Sequence, residues 1–287
     1  MEAAEHIRAL RRDGDIMARA ARQAGLTAAV PSCPGWQVRD LLRHTGYVHR
    51  WAASYVANQL TDEVEEVSEA EQLSSEPPDA DLLSWFCAGH ARLADVLTAA
   101  PADVVCWTFL RAPSPLEFWA RRQAHETAIH RVDAELAGGN GVTEFDPAFA
   151  ADGVDELITG FLDRNARRGI ANRNAKSRRI RVHASDTGAA WQVGLTPDGQ
   201  DVVEVSRGSE TAAGQAGDDA DCTLTGPAAG LYLLLWNRAD PGAAGVAVGG
   251  DASLLRFWQE GVRVTWERPE IRALPIVRQQ PARRSDR

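Results

Sequence analysis

The chain has 287 residues, 44% hydrophobic and 25% charged, an ordinary globular balance, and a length beyond what one core usually fills, so two domains are expected. A formal net charge of −9 argues against non-specific binding to nucleic-acid backbones, which needs a positive surface. No apolar run approaches a membrane span, and the charged start MEAAEHIRALRRDGD is unlike a secretory signal. Cys33, Cys87, Cys106 and Cys222 are widely spaced without CxxC pairing and read as reduced thiols, so a cytoplasmic protein is expected.

In chain order, residues 2–24 read as a first helix. Val38, Leu41, Leu42, Val48, Ala52 and Tyr55 form the apolar stripe of a second. The acidic stretch 62–80, rich in Ser and Pro, reads as a long connection to a helix marked by Leu82, Leu83, Phe86, Leu93, Val96 and Leu97. The next helix has Ser114 as N-cap, Pro115 at its first position and Glu117 three residues after the cap, and it stops near Gly138-Gly139. Residues 152–169 read as a further helix leading out of this bundle.

After Arg178 the period changes. RIRVHA (179–184), AWQVGL (190–195), DVVEVS (201–206) and DCTLTG (221–226) are strand signals separated by Gly, Asp and Pro. Residues 227–237 read as a helix, 246–250 as a short strand and 252–262 as a closing helix. The fold class is therefore α + α/β in two domains. A four-helix bundle (1–170) precedes a smaller α+β domain (171–275) with a mainly antiparallel sheet, and a basic tail (276–287) follows.

The segment HETAIH places Glu126 and His130 four residues apart, on one face of a helix, where carboxylate and imidazole can chelate one metal ion. His125 is turned about 100° away, and Ile129 excludes the zinc-protease pattern HExxH. The alternative for such a pair is a salt-bridged or solvated contact. His44, flanked by Leu41 and Val48 on the second helix, points toward the bundle interior, where it is either a core histidine or a third ligand from a facing helix. Three protein ligands leave a fourth position for water or substrate, the catalytic kind of zinc site. Asp40 and Asp133, each one turn from a histidine, are candidates to accept the other imidazole N–H. His49 and His90 read as structural.

Two stretches carry a family resemblance. VPSCPGWQVRDLLRHTGYVHRW (30–51) and WARRQAHETAIHRVDAE (119–135) resemble, in order and spacing, the two metal-bearing helices of the mycothiol-dependent maleylpyruvate isomerase family, a DinB-like helical bundle. DCTLTGPAAGLYLLLWNR and GDASLLRFWQEGVRV resemble its C-terminal domain, similar to sterol-carrier-protein folds. The resemblance implies zinc on His44, Glu126 and His130, with mycothiol as thiol cofactor or co-substrate. It also implies a catalytic arginine in the C-terminal domain, for which Arg238 is the candidate; at a helix end it could equally be a dipole partner.

A small thiol at the open position would be held as a thiolate. Addition to a cis double bond, rotation and expulsion would make an isomerase, and attack with loss of a leaving group an S-transferase. The expected partners are a small electrophilic substrate and a low-molecular-weight thiol, with no nucleic acid and no membrane. A non-catalytic metal-containing ligand-binding or regulatory protein is the alternative.

Overall fold

The computed structural model describes residues 1–62, 77–162, 177–196, 202–209 and 220–261. Most of the expected connection at 62–80, most of the 208–221 loop and the basic tail lie outside them. The chain divides into two compact units, one from Glu2 to Gly139 and one from Asn140 onward.

The first unit holds four long helices: α1 (Ala3–Ala24), α2 (Val38–Asn58), α3 (Asp79–Ala99) and α4 (Pro115–Ala137). Their starts follow the sequence signals. Ser114 Oγ accepts from Glu117 N–H at 3.2 Å at the head of α4, and Asp40 Oδ2 accepts from Gln37 N–H at 3.0 Å at the head of α2. Helix α1 lies chiefly along α4, α2 along α3, and α2 also meets α4. Met17, Val38, Leu41, Leu42, Leu82 and Phe86 form a buried apolar core, each side chain contributing about 2 kcal/mol of transfer free energy. Helix α4 turns almost no residue to solvent, because Phe118 to Glu135 is buried with the exception of Arg121. The core also encloses charge: Arg131 donates to Glu135 at 3.0 Å and lies 3.6 Å from Asp13.

The second unit begins with α5 (Pro147–Asp155), capped by Asp146, whose side chain accepts from Phe149 N–H at 3.0 Å. It runs on into a π-helical stretch, Glu156–Leu162. The helix expected at 152–169 starts earlier, at Pro147, and its expected last turns, 163–169, lie outside the described residues. It packs within the sheet-bearing unit, through Phe145 and Phe149 against Tyr232. Asp155 ties it to the sheet, accepting from Trp191 Nε1 at 2.9 Å and from Arg207 Nε at 2.6 Å.

Strands β1 (Arg178–Ala184), β2 (Ala189–Leu195), β3 (Val202–Ser209), β4 (Cys222–Gly226) and β5 (Ala247–Gly250) form one sheet in the order β3-β2-β1-β4-β5. All neighbours are antiparallel except β1 and β4. Ile180, Val182 and Ala184 face the core, alternating with half-buried Arg179, Arg181 and His183. Helices α6 (Ala228–Leu235), α7 (Pro241–Ala244) and α8 (Ser253–Gly261) complete the unit, with Trp258 Nε1 donating to Leu235 O at 3.0 Å. Architecture and sheet type agree with the expected fold class. Among the described residues no helix is long and apolar enough to cross a membrane, and none of the four cysteines is disulfide-bonded.

Candidate metal centre

Helices α2 and α4 meet inside the first unit and bring His44, Glu126 and His130 together. His44 Nε2 lies 3.1 Å and His130 Nε2 3.2 Å from the same carboxylate oxygen, Glu126 Oε1. The imidazole rings meet edge to face, with centroids 5.1 Å apart. One ligand atom from each residue lies within 4.8 Å of the others, and all three side chains are buried. The four-residue spacing puts Glu126 and His130 on one face of α4, and the buried stripe of α2 turns His44 toward them.

The surroundings tune each member. Burial pushes His44 below the ordinary imidazole value, partly offset by its bond to Glu126. Burial alone would also lower His130, but hydrogen bonds to Asp133 and Glu126 and their charges outweigh it and raise it to about 9. Glu126 would be raised by burial, yet the bonds and charges of His130, His44 and Arg122 hold it well below the usual carboxylate range. His130 Nδ1 lies 2.8 Å from Asp133 Oδ2; an ionised carboxylate only accepts, so Nδ1–H is the donor. Raised to about 9, the ring is an imidazolium at neutral pH, so Nε2–H likewise donates to Glu126 Oε1. A cation would replace only that second proton while Asp133 keeps the first, as the outer partner of a metal-ligating histidine does.

Asp133 thus stands where its spacing from His130 put it, whereas Asp40 is engaged as the cap of α2. His49 and His90 are core histidines: His49 Nε2 lies 2.8 Å from Thr127 Oγ1, and His90 Nε2–H donates to Leu10 O at 2.9 Å. His125 turns away from Glu126 and packs on His6, with ring centroids 5.8 Å apart. Arg238 belongs to the other unit, just after α6. There its Nη1 donates to Trp236 O and its backbone N–H to Leu233 O, both at 2.7 Å.

Three groups were not singled out by sequence. Arg122, one turn before Glu126, donates from Nη2 to Glu126 Oε2 at 3.0 Å; the i,i+4 spacing could have revealed it. Trp36 packs edge to face on His44, with centroids 5.3 Å apart. Gln123 is buried three residues before Glu126, and its Oε1 has no hydrogen-bond partner among the described residues.

The family model for the mycothiol maleylpyruvate isomerase N-terminal domain matches residues 7–135, and that for the MDMPI C-terminal domain matches residues 148–257. Among solved structures, the fold is similar to the crystal structure of the mycothiol-dependent maleylpyruvate isomerase, with a TM-score of 0.56, and to that of a histidine-to-alanine mutant of it, with a TM-score of 0.57. In both cases identity is 14%, and the alignment covers 87% of this chain and 93% of that one. No curated protein sequence matches the chain. With both halves matched in order, the chain belongs to the mycothiol maleylpyruvate isomerase family, a family of enzymes.

Proposed function

We propose that the protein is a thiol-dependent isomerase that uses mycothiol on maleylpyruvate or a similar unsaturated carboxylic acid, with a divalent metal, zinc, held by His44, Glu126 and His130. The observation that carries this reading is the convergence of two imidazole nitrogens and one carboxylate oxygen, from two helices, in the interior of a chain of this family.

The donor set fits such a cation. Imidazole and carboxylate suit zinc, Asp133 holds His130 Nδ1–H and leaves Nε2 for the cation, and Arg122 occupies the carboxylate oxygen turned away from the histidines. When bound there, the cation would supply a Lewis acid that keeps a small thiol ionised near neutral pH. The chain's own residues set the stage: burial of the trio limits water, and the buried amide oxygen of Gln123, Oε1, can accept from the donor of an incoming polar group. Arg238 is assigned the substrate carboxylate, which a guanidinium can grip through paired N–H donors. Four cysteines outside any disulfide accord with a reducing, cytoplasmic setting.

The test begins with metal content by mass spectrometry for the wild type, Glu126→Ala and His44→Ala. Maleylpyruvate isomerisation is then followed with and without mycothiol. About one zinc per chain in the wild type, lost in both variants, together with thiol-dependent turnover, is the expected result. Stoichiometric consumption of thiol would instead assign an S-transferase. A wild type that takes up no metal when zinc is supplied would overturn the metal reading.

A further inference from the structure

The loop joining α1 to α2 is closed on itself. Val30 N–H donates to Trp36 O at 2.9 Å, Trp36 N–H to Cys33 O at 3.0 Å, and Cys33 N–H to Val30 O at 3.1 Å. An isolated bridge between Ala29 and Gln37 closes its neck. Gly35 has φ +86°, a backbone state that side-chain-bearing residues rarely adopt, so the tight turn depends on it.

From this loop two side chains reach the candidate centre, one toward each histidine. The Trp36 ring lies edge to face on His44. Ser32 Oγ donates to Asp133 Oδ1 at 2.5 Å, while Asp133 Oδ2 accepts from His130 Nδ1–H at 2.8 Å. Cys33 Sγ lies 3.7 Å from the same Oδ2. Asp133 is fully buried, and its contact with Ser32 joins residues 101 positions apart. A local helix contact would not recruit a distant loop, and a buried polar network with both carboxylate oxygens engaged is rigid.

We propose that residues 30–36 form a clamp on both imidazoles, and that Ser32 is a positioning residue that acts through Asp133 to aim His130 Nε2 at Glu126. The proposal rests on reading His44, Glu126 and His130 as a ligand set, but ring orientation can be measured without any metal.

Two measurements on the full chain test it, using Ser32→Ala and the hydroxyl-retaining Ser32→Thr. The first is zinc affinity by competition with a chromophoric chelator. Ser32→Ala is expected to weaken binding about 10-fold or more, as loss of an outer partner of a ligating histidine does, and Ser32→Thr to restore most of it. The second is NMR of the His130 ring in metal-free protein, where the Nδ1–H proton should exchange with solvent faster in Ser32→Ala and regain its wild-type rate in Ser32→Thr. An unchanged urea midpoint separates positioning from general loosening of the fold. Wild-type affinity and an unaltered Nδ1–H signal in Ser32→Ala would overturn the clamp. Absence of zinc binding by every form would count against the metal reading alone, leaving the Nδ1–H signal to decide the clamp.

Discussion

Arg122 and Glu126 form an ion pair inside the bundle, Nη2 to Oε2 at 3.0 Å, that leaves the other carboxylate oxygen to two histidines. Both side chains are buried, so the carboxylate depends on the guanidinium for one of its two oxygens. Removing one partner of a buried pair costs about 3 kcal/mol or more. Arg122→Met is therefore expected to lower the stability of metal-free protein by about 3 kcal/mol in urea unfolding. A loss within experimental error would mean that the histidines alone hold the carboxylate.

Asp155 performs a comparable task in the second unit, receiving Trp191 Nε1 and Arg207 at the join of α5 and the sheet. Asp155→Ala leaves a buried indole N–H without its acceptor, and a loss of about 3 kcal/mol is expected. Arg207→Ala should cost about 1 kcal/mol or less, because that guanidinium is largely solvent-exposed. Equal losses in the two variants would contradict the ranking.

His49 and His90 make stability pH-dependent. Their rings lie 5.5 Å apart in the bundle core. Burial first, then the charge of His90, pushes His49 well below 6.5, and burial lowers His90 despite its bond to Leu10 O. Each is neutral in the fold and takes up its proton on unfolding, so the unfolded chain binds more protons below pH 6.5. Stability contributed by the neutral rings is present above that value and falls as pH drops through it, by up to about 1.4 kcal/mol per pH unit for each histidine. Urea midpoints between pH 7 and pH 5 check this, and His90→Asn should flatten the slope.

Helix α6 comes so close to α7 that a Cβ on Gly230 would overlap the carbonyl oxygen of Ala244. Backbone cannot yield as a flexible side chain would. Gly230→Ala is expected to destabilise the protein by about 1–3 kcal/mol, the range for overpacking, measurable by thermal unfolding. A neutral effect would show that the two helices can part freely.

Much of the centre was legible because its signals are local. Ser114, Pro115 and Glu117 mark the start of α4, and the i,i+4 period places Glu126 beside His130. The stripe from Val38 to Tyr55 turns His44 inward, and the facing of α2 and α4 required only that the bundle close. Strand periodicity found β1 to β4, but not the parallel pairing of β1 with β4, which depends on chain topology rather than on the pattern within either strand. Helix α5 starts five residues before the expected 152, and its packing was not legible because its partners, Tyr232, Trp191 and Arg207, lie far downstream. Ser32 was invisible for the same reason: a serine in a Pro-flanked loop carries no sign of a carboxylate 101 residues away.

His44 stands 82 residues before Glu126, with α3 between the helices that carry them. Any cation or ligand gripped by both therefore binds only where those distant segments have come together. Mass action makes its affinity a force against opening the whole bundle, about 4 kcal/mol at a thousand times the dissociation constant. Occupancy of the centre thus serves as a quality mark of assembly: a chain whose first unit has not closed cannot be charged, and a charged one resists being reopened.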